Sequence, residues 1–344
     1  MEEGNVTSIT EFILLGFPEL HGMRMPFVGI VLLMYLLSIS GNCLIITVVF
    51  IEPKLHTPMY FFLSNFSLAE LCSSTTVIPK MLTNMVLDQN TICYTCCMTQ
   101  TFMVFSMGAI QFINLTVMSF DRYTAICQPF KYNIKMTNTL SFHLSLMAWA
   151  VGFTVIFFQL IVVWTTYPFC GNIIDHFFCD IGPVLKLACT DTTVWELASL
   201  FYSVIITCGS FLFSVGSYAC ILKTIVQIPS VTGRSKAFST CSSHLTVVGI
   251  FYGATFFMYL RPSTQGDTRI NKVIFMVICA VLPTLSPFIF TIRNNDFKTA
   301  ARKAMGRIFQ LPSSVVMRLI KQCSLQSTFS KFFNKHNQKT LECH

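Results

Sequence analysis

The sequence predicts an all-α membrane protein: a seven-transmembrane helix bundle with a short amphipathic eighth helix on its carboxyl side. Three observations lead there. The 344 residues are 53% hydrophobic and only 11% charged, whereas a soluble domain carries about 25% charged residues to face water. The charges are missing from whole stretches: residues 25–51, 89–120, 136–174, 197–222, 237–260 and 273–292 hold no Asp, Glu, Lys or Arg. A spanning helix needs roughly 20 apolar residues, and a further apolar segment, about residues 58–79, contains the single acid Glu70. The runs are also continuous, where barrel strands would alternate over about ten residues.

Taken in order, residues 1–24 form an extracellular leader with Glu2, Glu3, Glu11 and Glu19 and no basic start before an apolar core. That pattern does not resemble a cleavable signal peptide, so the first helix is expected to act as its own uncleaved signal. Asn5-Val6-Thr7 is a glycosylation sequon there. Asn65-Phe66-Ser67 and Asn114-Leu115-Thr116 match the same pattern but lie inside spans, where no sugar is expected. The spans occupy residues 25–293. The 136–174 stretch is too long for one helix and includes part of an outer connection, roughly 166–195, that holds Cys170, Cys179 and Cys189. The inner connections near 52–57, 128–138 and 228–236 are short and basic. Residues 294–311 read as an interfacial helix: Phe297, Ala301, Met305 and Phe309 make one stripe, and Lys298, Arg302 and Lys303 can face anionic headgroups. Residues 312–344 make a polar, basic tail expected to be disordered.

Orientation follows from the basic residues, which are retained on the cytoplasmic side. With the amino terminus outside, the inner segments hold 17 of the 23 Lys and Arg residues. The net charge of +8 is then a topology signal, and no nucleic acid is needed to explain it. No internal repeat is evident, which argues against a transporter built on duplicated halves, and neither a catalytic constellation nor a ring of charged helix faces suggests an enzyme or a channel.

The chemistry-bearing run is Met118-Ser119-Phe120-Asp121-Arg122-Tyr123-Thr124-Ala125-Ile126-Cys127 at the inner end of the third span. An Asp-Arg pair in lipid is costly unless paired and close to the interface; alone, it reads equally as a boundary marker or a functional pair. Neighbouring motifs favour function. Leu55-His56-Thr57-Pro58-Met59-Tyr60-Phe61-Phe62-Leu63-Ser64 resembles the second-helix signature of olfactory receptors, and the Asp121–Cys127 run resembles their third-helix form of the rhodopsin-like Asp-Arg-Tyr motif. Lys236-Ala237-Phe238-Ser239-Thr240-Cys241-Ser242-Ser243-His244 resembles their sixth-helix motif and Ser217-Tyr218 their fifth, while Gly41-Asn42, Trp149 and Pro287 fit landmarks of the wider class. The matches recur from about residue 12 to 303.

The resemblance implies an odorant receptor of the rhodopsin-like, G-protein-coupled class in the plasma membrane, and several residue roles with it. Cys97 is expected to bond Cys179, and Cys170 to bond Cys189; Cys93 and Cys96 are extras beside them, and a zinc site of Cys170, His176 and Cys179 is the competing reading. Cysteines within spans, such as Cys43, Cys208 and Cys279, are expected to pack as small hydrophobes. The ligand site is expected among Thr101, Val104, Phe105, Gly108 and Ala109 on the third span, Tyr202 and Ile206 on the fifth, and Tyr252, Thr255 and Tyr259 on the sixth. Packing is the competing reading for each singly. Amine receptors of the class carry an Asp where this chain has Val104. A cation would be buried here without a counter-ion, at a cost of several kcal/mol, so a neutral, largely apolar small molecule is expected.

At the inner side, Asp121, Arg122, Tyr123, Tyr218, Lys236, Ser286, Pro287 and Phe290 are expected to couple to a heterotrimeric G protein of the stimulatory type and raise cyclic AMP. Glu70, the buried mid-span acid, resembles an inner polar site that holds a sodium ion in related receptors, with Asn42 and Ser286 near it; a protonated, hydrogen-bonded Glu is the alternative, and no other cofactor or metal is implied. The chain departs from the family at Ser286 and Phe290, where Asn and Tyr are expected, and at Gln111, where an acid is usual. A non-olfactory receptor of the same class, or an odorant-type receptor with impaired coupling, is the alternative function.

Overall fold

The computed structural model describes residues 9–260, 268–292 and 294–310. The chain divides into two compact units, Met1–Asn295 and Asp296–His344. In the first unit the long helices are α1 (Arg24–Ile51), α2 (Pro58–Leu87), α3 (Tyr94–Cys127), α5 (Asn138–Thr166), α7 (Thr193–Val226) and α8 (Val231–Leu260). The seventh span is composite: α9 (Thr268–Met276) runs through a π-helical turn, Val277–Val281, into α10 (Leu282–Ile292). Short helices α4 (Pro129–Lys135) and α6 (Ile181–Leu185) lie in connections, and α11 (Asn295–Gln310) follows the last span.

Among the described residues, six helices are long and apolar enough to cross a membrane. The seventh, α2, is diluted by Glu70, Lys80 and several Ser and Asn residues, yet it packs between α1 and α3 as a full bundle member. Helix α3 is the central post, packing on α2, α5 and α7. Large apolar side chains such as Phe50, Phe158 and Leu212 are exposed on the bundle surface, as a lipid-facing belt requires, since lipid rather than water must satisfy that surface.

With no water to satisfy polar groups inside a bilayer, buried hydroxyls bond back to their own helix or across to a neighbour. Ser74 donates to the Glu70 carbonyl, Thr76 to Cys72 and Ser119 to Leu115. Between helices, Trp149 Nε1 donates to Asn65 Oδ1 at 3.0 Å, Gln100 Nε2 to the Thr76 carbonyl at 3.0 Å, and Thr284 Oγ1 to the Met34 carbonyl at 2.9 Å. The asparagines of the two in-span sequons make structural contacts: Asn65 holds Trp149, and Asn114 is buried and bonded to the Ile110 carbonyl. Close helix approach requires glycine at two places. A Cβ at Gly41 would lie 2.8 Å from Pro287 Cβ, and one at Gly152 would lie 2.5 Å from Ile110 Cγ1.

One element was not expected. The leader is not simply a tail: β1 (Glu11–Leu14) pairs antiparallel with β2 (Thr91–Cys93), setting Phe12 opposite Ile92, and parallel with β3 (Ile173–Ile174). Its inward side chains, Phe12 and Leu14, are fully buried with Ile92, Trp164, Phe169 and Ile174. The run Glu11-Phe12-Ile13-Leu14 is too short to announce a strand without its partners, and its alternation shows only in burial. Asn5 and residues 312–344 lie outside the described residues. Within α11, Phe297, Ala300, Ala301 and Ala304 form the buried stripe and Lys298, Arg302 and Lys303 are exposed; the side chains of Met305 and Phe309 lie outside the described residues.

Candidate functional site

Three disulfides shape one end of the bundle: Cys97–Cys179, Cys170–Cys189 and Cys93–Cys96. The first clamps the long connection to the start of α3. Polar contacts reinforce it, with Thr101 Oγ1 donating to the Cys179 carbonyl at 2.7 Å and the Cys179 amide to Gln100 Oε1 at 2.9 Å. Lys272, on α9 and almost fully buried, pairs with Asp175 of the same connection at 2.6 Å. The zinc alternative is overturned, because Cys170 and Cys179 are committed to different disulfides. His176 sits instead among Phe177, Phe178 and Phe275. Burial, with Lys272 adding to it, pushes its imidazole down to about 3, so it packs as a neutral ring. Cys93 and Cys96, read as extras, bond each other.

Beneath this lid lies a cavity of about 110 Å³. Seven expected residues line it: Val104, Phe105, Gly108 and Ala109 from α3, Tyr202 and Ile206 from α7, and Thr255 from α8. Two of the others do not. Thr101 is wholly buried by its bond to the connection, and Tyr252 packs among Phe112, Phe211 and Phe256. The Tyr259 side chain lies outside the described residues. Sequence reasoning missed several walls: Ser73 from α2, Ile156 from α5, and Phe275, Ile278 and Cys279 from the seventh span. Cys279 packs as a small buried residue of the core, as expected, and also forms part of the wall. No signal in the sequence singled these out, since each is an ordinary apolar or small residue. Gln111 also faces the cavity and gives it a neutral amide. Among the described residues the lining holds no ionisable acid or base apart from the Tyr202 phenol and the Cys279 thiol. The Tyr202 hydroxyl is buried without a hydrogen-bond partner among those residues.

Toward the opposite end, Ser286 donates to the Glu70 carboxyl. Both residues are buried, as is Asn42, whose amide donates to the Ser38 and Pro283 carbonyls. At the end of α3 the Asp121 carboxylate is fully buried, bonded by Arg122 through Nε at 3.0 Å and by the Tyr132 hydroxyl at 2.8 Å. Tyr123 accepts from Gln128. Tyr218 shares a 2.5 Å hydrogen bond with His244 Nδ1, and the His244 ring also faces Phe290, which packs edge-on against Phe66. His244 stood in the sixth-helix run without a role; the pairing across α7 and α8 supplies one. Tyr132 was not singled out either, because its contact with Asp121 needs the fold of α4. Pro287 meets Gly41, and the Lys236 side chain lies outside the described residues.

The sequence profile described as "Olfactory receptor" matches residues 31–308. The human protein named Olfactory receptor 6X1 is 49% identical over 302 residues, covering 88% of this chain and 96% of its own. The rat protein Olfactory receptor 287 is 43% identical, covering 88% of this chain and 97% of its own, and human Olfactory receptor 6S1 is 41% identical, covering 89% and 93%. With a seven-helix membrane bundle, a lidded apolar cavity and an Asp-Arg-Tyr run at the far end of α3, the chain belongs to the olfactory receptor family, the non-enzymatic, odorant-sensing G-protein-coupled receptors.

Proposed function

We propose that this receptor responds to neutral, largely apolar small molecules and raises cyclic AMP through a stimulatory-type heterotrimeric G protein, with its amino terminus outside the plasma membrane and its carboxyl terminus inside. The observation that carries the ligand class is the cavity: among the described residues no carboxylate or ammonium lines it, and the Tyr202 hydroxyl in its wall, buried without a partner among those residues, is a hydrogen-bonding point for a carbonyl or alcohol oxygen. A bound cation would lose its hydration without a counter-charge. An apolar cavity of about 150 Å³ takes benzene, so 110 Å³ suits a short chain or a ligand no larger than one small ring.

The orientation rests on the asymmetry of Lys and Arg, and the disulfide-rich end then meets an oxidising exterior. On the inner side, Asp121, itself bonded by the Tyr132 hydroxyl, holds Arg122 in a resting position. Ligand binding favours the conformation in which Arg122 leaves that pair for the surroundings of Tyr218 and the G protein. Tyr123, Lys236, Ser286, Pro287 and Phe290 complete this coupling region, and α11 lies along the inner leaflet. The oxygens of Glu70, Ser286 and Asn42 fit a small hard cation, because Asn42 Oδ1 lacks a partner among the described residues; a sodium ion bound there would stabilise the resting bundle. The test is a cyclic AMP assay in cells expressing the full chain, stimulated with matched neutral and cationic volatiles. Activation by alcohols, ketones or arenes is expected, and a receptor answering only ammonium ligands would overturn the assignment.

A further inference from the structure

Cys93 and Cys96 are not used by the ligand cavity or by the clamp between α3 and the long connection. Their setting is chemical rather than structural. Cys93 is the last residue of β2 and the N-cap of α3, and its Sγ accepts the Cys96 amide at 3.0 Å and lies 3.3 Å from Thr95 Oγ1. Cys96 is exposed. Both line an open cleft shared with Glu11, Thr76, Lys80 and Gln100. We propose that the Cys93–Cys96 disulfide is a capture site for low-molecular-weight thiols, separate from the apolar cavity.

The two sulfurs are unequal. An incoming thiolate reaches the exposed Cys96 Sγ and forms a new S–S bond to it. The Cys93–Cys96 bond breaks, and its electron pair leaves with Cys93 as a thiolate. The incoming sulfur is oxidised and Cys93 is reduced, so no outside oxidant or reductant takes part; the proton of the incoming thiol passes to solvent. Exchange is faster when the leaving sulfur is well stabilised, and here the leaving sulfur holds the amide at a helix N-terminus with an ammonium, Lys80, in the same cleft. A stabilised thiolate is also a weaker nucleophile, which slows its re-attack on the adduct.

The other two disulfides lack this combination. Cys97 and Cys179 are wholly buried, so a dissolved thiol has no approach. Cys170 and Cys189 are exposed, but neither caps a helix, and backbone bonds from Cys170 to Leu187 and from Cys189 to Pro168, both 2.8 Å, hold them together for re-closure. Opening the Cys93–Cys96 bond would also loosen the joint between β2 and α3, one residue from the buried clamp at Cys97, so capture can be transmitted to the lid of the cavity.

The experiment uses the full-length receptor in mild detergent, where both ends are accessible and the result does not depend on the proposed orientation. The receptor is treated with cysteamine, quenched with acid, alkylated with N-ethylmaleimide and mapped by peptide mass spectrometry. A cysteamine adduct on Cys96 with alkylation newly appearing on Cys93 is expected, at least tenfold faster than any adduct on Cys170 or Cys189, with Cys97 still joined to Cys179. In a Cys93→Ser variant, which leaves Cys96 as a thiol with no bond to exchange, the adduct should disappear; the wild-type map decides the matter even where that variant is poorly produced. Alkylation of Cys93 and Cys96 before cysteamine is added, an adduct on Cys93 in place of Cys96, or equal rates at the two exposed disulfides would overturn the proposal.

Discussion

Gly108→Val tests whether the cavity reads ligand size. Gly108 lines the cavity, and a Cβ built on it meets nothing within 4 Å, so the added carbons enter empty space. Glycine is a poor helix former, so the substitution does not weaken α3. Valine adds three carbons and is stiff about χ1, leaving them little freedom to turn away. In a cavity of about 110 Å³ they displace roughly two methylene groups of a ligand that fills it. At about 0.8 kcal/mol per buried methylene the loss is about 1.6 kcal/mol, or roughly fifteenfold in potency. Shorter ligands, which leave that space empty, lose nothing. The assay is a cyclic AMP concentration–response series with straight-chain alcohols in cells matched for surface receptor, with Gly249→Val on the exposed face of α8 as control. The preferred chain should shorten by about two carbons in Gly108→Val and stay unchanged in the control. An equal loss for all chain lengths, or none for any, would refute the cavity assignment.

Three further outcomes follow from other contacts. Tyr132→Phe removes one of the bonds holding the buried Asp121 carboxylate; a hydrogen bond to a charged group contributes about 1.5–3 kcal/mol, so basal cyclic AMP at matched surface level should rise about tenfold or more, and an unchanged basal signal would show that the Tyr132 contact does not restrain the Asp121–Arg122 pair. Cys97→Ser or Cys179→Ser should abolish surface staining, since the chain-entropy account gives about 4.5 kcal/mol for a bond spanning 82 residues but only about 2 kcal/mol for the Cys93–Cys96 separation of 3; Cys93→Ser should stay on the surface, and equal loss in all three would contradict the hierarchy. Burial raises the Asp180 carboxyl to about 7 from an ordinary 3.8, against the opposing pull of Lys186, so the folded connection holds a proton that the unfolded one has released. That stabilisation is complete below the ordinary value and is lost as pH rises through 7, on the order of 1.4 kcal/mol between about pH 6 and about pH 8. Hydrogen-exchange protection over residues 176–189, with the base-catalysed intrinsic rate divided out, should therefore fall across that interval in the wild type and not in Asp180→Asn; an equal fall in both would remove Asp180 as the cause.

The departures at Ser286 and Phe290 read differently once packed. Ser286 spends its hydroxyl on Glu70, and Phe290 closes an aromatic contact between Phe66 and His244. Missing an amide and a phenol is legible in the sequence; that their replacements make other contacts is not, because those contacts join residues 216 positions apart and three different helices.

The sequence by itself determined the spans and the family. Water and lipid impose opposite demands on a side chain, so the boundary between them is written directly as runs without charge, and Asp121-Arg122-Tyr123 with the Leu55–Ser64 run identified the relatives. It also named seven residues of the cavity wall, because helical spacing from Val104 to Ala109 and the hydroxyl or aromatic residues of α7 and α8 mark one face each. Only the tertiary structure decided the rest. Whether Thr101 faces a ligand or clamps the connection depends on where Cys179 comes to rest; whether Phe12 and Leu14 belong to a leader or a sheet depends on Ile92 and Ile174. The π-helical turn that carries Ile278 and Cys279 into the wall has no local signal in Val277–Val281. Local sequence specifies what each residue needs from its surroundings, while the choice among residues able to meet that need is made by packing between segments far apart in the chain.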